Sequence, residues 1–307
     1  MQFVRTPDDR FDNLPGWPYS PIYTDVSAGD GSGVSLRVHH IDEGPRDAAN
    51  TILLMHGEPT WGYLYRKMIP GLVDAGHRVV VPDLVGFGRS DKPTQMGDYT
   101  YERMVAWMSE WLVKNDFTNM TFFGQDWGGL IGLRVVTAFP DRFRRIVVSN
   151  TGLPTGDRQP TEAFLNWQKF SQTSPEWHIG RMVEAASNSK PLGADVVAAY
   201  DAPFPSDEFT AGTRIMPSLV PTGPEDPTST ANRDAWKVLE AWTKPLLTAF
   251  SDGDPVTAGG HRIFQRSVPG AQNQPHTTII DGGHFVQEDK APELTVIINE
   301  FIASTPY

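Results

Sequence analysis

The sequence predicts an α/β fold: a mainly parallel sheet with helices on both faces, interrupted once by a helical insert. Two observations carry this prediction. Short β-rich runs alternate with helical stretches up to Asn150, and the alternation then stops until about Thr230. Ser35 to Ile41 alternates polar and apolar residues like a strand. Thr51 to Met55 and Arg78 to Val81 are short apolar runs bounded by turn residues, as buried parallel strands are. Met120 to Phe123 and Ile146 to Val148 repeat that pattern, and Tyr65 to Ala75 and Tyr101 to Val113 read as amphipathic helices between the runs. From Leu153 to about Thr230 the text is proline-rich and helical. Strand-like runs return at Leu246 to Phe250 and His276 to Ile280, and Pro292 to Ile302 reads as a closing helix. The organisation expected is a core of residues 1–152 and 229–307 carrying an inserted helical domain of residues 153–228. Such an insert would lie over the carboxyl ends of the strands, where open α/β sheets bind ligands.

Composition narrows the function classes. The 307 residues suffice for one large α/β domain, and a hydrophobic fraction of 39% suits a packed core. A net charge of -11 without a basic patch argues against nucleic acid or an anionic membrane as partner. The chain has no cysteine, which excludes disulfides, thiolate metal sites and cysteine nucleophiles. No clustered ligand set or phosphate-binding loop implies a metal or an organic cofactor, and no G-x-G-x-x-G marks a dinucleotide site. The N-terminus shows no apolar signal region, and no run approaches the roughly 18 apolar residues of a membrane span. The expectation is a cytoplasmic protein, acting as a monomer.

One short stretch carries the chemistry. "GQDWGG", Gly124 to Gly129, follows the apolar run ending at Phe123 and precedes a helical run from Leu130. Strand, glycine-flanked turn and helix form the setting in which α/β-hydrolases place Gly-x-Ser-x-Gly, with the nucleophile on a strained elbow. Here the central residue is Asp126, which could also be a plain helix N-cap. "DGGHF", Asp281 to Phe285, puts His284 in a glycine-rich loop after a strand. "FSDGDP", Phe250 to Pro255, puts Asp254 and the alternative acid Asp252 just beyond another. Chain order is then nucleophile, acid, histidine, as in α/β-hydrolases. An oxyanion hole needs the amide after the nucleophile, here Trp127, and one from the loop after an early strand. "MHGEPTW", Met55 to Trp61, supplies the Glu58 amide for the second.

Together these blocks resemble the haloalkane dehalogenases of the α/β-hydrolase superfamily. The matching text is "HGEPTW", "PDLVGFGRSDKP" from Pro82, "GQDWGG", "AYDAPFP" from Ala199, "FSDGDP" and "GGHFVQED" from Gly282. The resemblance implies an α/β-hydrolase fold with a mostly parallel eight-stranded sheet and a helical cap. It implies that Asp126 displaces halide from saturated carbon, forming an alkyl ester, and that His284, oriented by Asp254, activates the water that hydrolyses it. An aspartate carboxylate is ordinarily ionised at neutral pH, so this nucleophile needs no activating base. The products would be a primary alcohol, halide and a proton. Family members hold the halide with indole N–H groups, which donate and cannot accept. Trp127 would supply one and Trp167 in "FLNWQKF" the other, with Trp177 in "SPEWHIG" the rival. "VSNTGLP", Val148 to Pro154, lacks a carboxylate, which fits the branch with its acid at Asp254. The partners implied are a small halogenated hydrocarbon, water and halide ion.

Epoxide hydrolases share the Asp nucleophile and the Asp–His pair, but two cap tyrosines donate to their leaving oxygen. The insert here contains only Tyr200. A third reading, a non-catalytic binding protein on the same fold, would be expected to lack a member of the Asp–His–Asp set. Phe164, Phe170 and Phe285 are candidates for a pocket wall or for plain core.

Overall fold

The computed structural model describes residues 1–306. Its centre is an eight-stranded sheet. In chain order the strands are β1 (Ile22–Ser27), β2 (Ser35–Glu43), β3 (Thr51–Met55), β4 (Arg78–Pro82), β5 (Met120–Gln125), β6 (Phe143–Ser149), β7 (Leu246–Ser251) and β8 (Thr277–Ile279). Their spatial order is β8-β7-β6-β5-β3-β4-β2-β1. From β8 to β4 all neighbours run parallel, whereas β2 is antiparallel to both β4 and β1. Every residue of β3 and β5 is buried, the consequence of helices packed on both faces.

The first half supplies helices α1 (Ile69–Asp74), α2 (Tyr101–Lys114) and α3 (Trp127–Ala138). Between β6 and β7 come α4 (Glu162–Thr173), α5 (Ile179–Ala186), α6 (Ala194–Asp201), α7 (Ala211–Leu219) and α8 (Pro227–Glu240), with no strand among them. Helix α8 packs on α3, so it belongs spatially with the sheet's flanking layer. Helices α9 (His261–Ser267) and α10 (Val286–Ser304) complete the chain.

Three elements differ from expectation. Strand β1 was not expected; only Val26 of its residues is buried, the rest being half-buried or exposed at the sheet edge, so it lacks the apolar run that betrays a central strand. The helix expected over Tyr65 to Ala75 is a 3-10 turn at Gly62–Tyr65 followed by a short α1. Pro70 is the cause: without an N–H and with φ fixed, it is tolerated only in a first turn. The closing helix begins at Val286 rather than Pro292, with a kink at Lys290 immediately before its continuation. Pro292 again marks a first turn, but a preceding turn of helix is stacked onto it.

Candidate active site

Five contiguous parallel strands, β8, β7, β6, β5 and β3, end on one side of the sheet, and each delivers a side chain or loop to the same place. Asp126 follows β5 with φ of 50° and ψ of -129°, a left-handed conformation that a non-glycine residue adopts only under strong constraint. Its side chain makes no capping bond to α3, so the plain N-cap reading does not hold. The surrounding glycines are required by contact. A Cβ on Gly128 would lie 2.0 Å from the Met55 carbonyl oxygen, and one on Gly57 would lie 2.3 Å from Asp126 Oδ1. The elbow backbone is tied down by the Asp126 amide donating to Asn150 O at 3.0 Å and Thr151 Oγ1 donating to Asp126 O at 2.7 Å.

The Glu58 amide donates to Asp126 Oδ1 at 2.8 Å. His56 holds that loop in place, its Nε2 accepting the Leu84 amide at 3.0 Å. On the other side, His284 Nε2 is 3.6 Å from Asp126 Oδ2, and Nδ1 is 3.0 Å from Asp254 Oδ2. Asp254 also accepts the Val256 amide at 2.9 Å and the Thr257 hydroxyl. Burial would raise the Asp254 pKa, but the His284 charge and these hydrogen bonds prevail and lower it to about 2. Burial would likewise depress His284, yet the Asp254 charge and the Asp126 contact hold its pKa well above the ordinary histidine value. Asp252 is exposed on the turn, so the acid beside His284 is Asp254.

Two polar residues complete the junction, and sequence reasoning passed over both. Gln125, inside "GQDWGG", donates from Nε2 to His284 O at 3.1 Å and lies 3.2 Å from His284 Nε2. Asn150, at φ of 39°, donates from Nδ2 to Gly283 O and His284 O, both at 3.0 Å, and accepts the Ser251 amide. It stitches the ends of β6 and β7 to the histidine loop. A residue type that tolerates left-handed backbone, sitting directly after a strand, was the available signal.

Above these groups lies a cavity of about 1000 Å³, lined by Asp126, His284, Glu58 and a mostly apolar wall. Trp127 and Trp167 both line it, as do Phe164, Phe170 and Phe285. The Trp127 indole N–H has no acceptor among the described residues. The Trp167 indole N–H donates to Glu58 Oε2 at 3.0 Å. Trp177 stacks behind Trp167 at 5.6 Å between ring centroids and donates its own N–H to Thr213 Oγ1 at 2.7 Å. It does not line the cavity. Tyr200 is fully buried with its hydroxyl on Glu288, and no tyrosine lines the cavity among the described residues.

The α/β hydrolase fold family model matches residues 50–291. The chain is 53% identical to a haloalkane dehalogenase of Psychrobacter cryohalolentis over 306 residues, with all of both chains covered.

The chain belongs to the haloalkane dehalogenase family.

A haloalkane dehalogenase of Mycobacterium marinum is 49% identical over 96% of the chain and 97% of its own. Among solved structures, the haloalkane dehalogenase DpaA of Paraglaciecola agarilytica, described as tetrameric, superposes on this enzyme with a TM-score of 0.89 at 35% identity, covering 99% of both chains. No helix of the described residues of this dehalogenase is long and apolar enough to cross a membrane.

Proposed function

We propose that this enzyme, a hydrolase of haloalkanes, works through an alkyl ester formed on Asp126. One observation carries the proposal: a carboxylate on the strained elbow faces an apolar cavity, with His284 beside one oxygen and the Glu58 amide on the other. In the first step Asp126 Oδ2 attacks the halogen-bearing carbon, the carbon–halogen bond breaks, and halide leaves with its electron pair. The mostly apolar wall beside Asp126 favours burial of the hydrocarbon part of the substrate against the attacking carboxylate. Trp127 and Trp167 receive the halide through their indole N–H groups.

In the second step His284 takes a proton from water, and the resulting hydroxide attacks the ester carbonyl carbon. The Glu58 amide, already on Oδ1, and the Trp127 amide stabilise the oxyanion. Collapse breaks the ester C–O bond, the departing alkoxide takes the proton held by His284 and leaves as the primary alcohol, and the regenerated Asp126 carboxyl loses its proton, the net proton of the reaction. Alkylation itself prepares the base. Esterified Asp126 carries no charge, so one of the influences that hold the His284 pKa up is gone, and the imidazole is freed to accept a proton. Asp254 remains to orient the ring and stabilise its cation.

In this reading, residues 153–228 form the cap that closes the cavity over a core of residues 1–152 and 229–307. The reading also takes the enzyme to be a monomer acting in the cytoplasm. Light scattering of the purified enzyme tests the oligomeric part, and a tetramer like that of the Paraglaciecola agarilytica relative would overturn it. That no tyrosine lines the cavity among the described residues argues against epoxide opening, whose alkoxide needs such donors.

A His284→Phe variant incubated with 1-bromobutane and weighed intact tests the mechanism. The expected result is one butyl group per chain, mapped to Asp126, with one equivalent of bromide released. An adduct elsewhere, or none, would overturn the assignment of the nucleophile.

A further inference from the structure

The indole N–H that the proposed mechanism assigns to the halide already has an acceptor. Trp167 Nε1 donates to Glu58 Oε2 at 3.0 Å, and Glu58 is 3% exposed. Its other oxygen, Oε1, is buried and has no hydrogen-bond partner. A buried oxygen left unpaired in this way costs free energy until it meets a partner, and the cost is greatest when the carboxyl is ionised. Glu58 lines the cavity together with Trp127, Trp167, Asp126 and His284. The proposed halide and the Glu58 carboxyl therefore share one donor in one cavity.

We propose that Glu58 is a positioning residue that competes with the departing halide for the Trp167 indole, so that the ion is held while Glu58 is neutral and expelled when it ionises. The inference rests on the reading of Trp167 as the second halide donor. An ionised carboxylate binds an N–H roughly twice as strongly as a neutral acceptor does, so it keeps the indole. It also repels a second anion a few ångströms away in a cavity of low dielectric. A neutral carboxyl does neither. Burial, followed by the charge of Asp126, pushes the Glu58 pKa well above the ordinary carboxylate range, against the opposing effects of the Trp167 bond and the His284 charge. The ionisable groups facing Glu58 are Asp126 after β5 and His284 after β8; from α4 it meets the uncharged Trp167. The linkage has a definite sign. Halide binding favours the protonated form of Glu58, so affinity is full below the Glu58 pKa and falls as pH rises through it. If one proton is taken up per halide, the bromide Kd rises by up to about tenfold per pH unit there.

Bromide titrations followed by tryptophan fluorescence between pH 5 and 9 test this on wild type, Glu58→Gln and Trp167→Phe. The Gln amide oxygen still accepts the indole N–H but cannot ionise. The expected result is a Kd that climbs with pH in the wild type, a flattened profile in E58Q with tighter binding at the alkaline end, and weak binding at every pH in W167F. Should W167F bind bromide like the wild type, the halide role of Trp167 itself fails. Should W167F weaken binding while E58Q follows the wild-type pH profile, the competition alone fails, and Asp126 and His284 carry the dependence. The wild type also supplies a test that needs no folded E58Q variant. Its Trp167 indole proton resonance, assigned by its loss in W167F, is expected to move with bromide at low pH and to be insensitive to bromide at high pH; equal response at both pH values overturns the proposal.

Discussion

At the scale of the residue, the site is a line of alternating charge: Asp254, His284, Asp126, with Glu58 beyond. Each neighbour alters what the next can do. Asp254 is held ionised by His284, the Thr257 hydroxyl and the Val256 amide, with a pKa near 2. A carboxyl whose pKa is depressed on folding contributes stability above its unfolded value of about 3.9, and loses it as pH falls towards the folded value. The depression corresponds to about 2 kcal/mol, present at neutral pH and gone below about pH 2. His284 has the opposite sign. Its raised pKa contributes stability below about pH 6.5, lost as pH rises through the folded value. An Asp254→Asn variant is therefore expected to lose about 2 kcal/mol at pH 7 and to show a flatter stability profile between pH 4 and 2. Urea unfolding at a series of pH values checks this. A slope equal to that of the wild type would show that other carboxylates govern acid unfolding.

At the scale of the element, the nucleophile elbow is a close approach of β3, β5 and α3 in which side chains have no room. Gly128 abuts the Met55 carbonyl at the end of β3, and Gly129 abuts Thr151 beyond β6. A Cβ at either position would stand 2.0 Å from an oxygen atom. At Gly129 the Thr151 Cβ also stands at 2.6 Å, and at Gly128 the neighbour is backbone, so neither clash is relieved by turning a side chain. Gly128→Ala is thus expected to destabilise the protein by about 2–3 kcal/mol and to displace Asp126 enough to lower ester formation more than tenfold. Urea unfolding with single-turnover halide release measures both. Full activity in this variant would mean that α3 slides without moving Asp126, contrary to the packing described. The motif "PDLVGFGRSDKP" acts at the same scale and away from the chemistry. Asp83 accepts the Gly62 amide at 2.8 Å and the Arg89 amide at 2.8 Å, and pairs with His39 at 2.7 Å, fastening the loop after β4 to the segment that leads from Glu58.

At the scale of the whole molecule, the segment between β6 and β7 is bolted to the histidine loop by charge. Glu288, four residues beyond His284, is buried and pairs with buried Arg66, with the exposed Lys67 and with the hydroxyl of Tyr200 from α6. Asp289 accepts the amides of Asn188 and Ser189 as well as that of Gly283, and the His284 amide donates to Ala186 O at 2.9 Å. Helices over the cavity and His284, the proposed base, are thus tied together. Removing the Glu288 charge leaves Arg66 buried without its partner, a change that costs about 3–5 kcal/mol in comparable pairs. Glu288→Gln is expected to lose stability on that order and, with the proposed roles, to slow ester hydrolysis more than ester formation, because His284 moves and Asp126 does not. Pre-steady-state halide and alcohol release separate the two steps. Equal slowing of both would place the disturbance in the cavity rather than in the histidine loop.

Most of the architecture was legible in the order of residues, because buried parallel strands and amphipathic helices carry local periodic signals. β3, β5 and α2 lie close to where their apolar patterns put them. The residues proposed for catalysis were legible for a different reason: elbow, acid turn and histidine loop each combine a reactive side chain with glycines that the backbone there demands. What the chain order did not contain is whatever depends on contact between distant segments. Edge strand β1 is defined by its partner β2 rather than by its own hydrophobicity, and the grouping of Asn150, Gln125 and His284 exists only once three strand ends meet. The donation from Trp167 to Glu58 joins residues 109 positions apart, and no periodicity encodes it. Only the packed structure decides which hydrogen-bond donor faces which acceptor, since that pairing is set by the removal of water and not by neighbours along the chain.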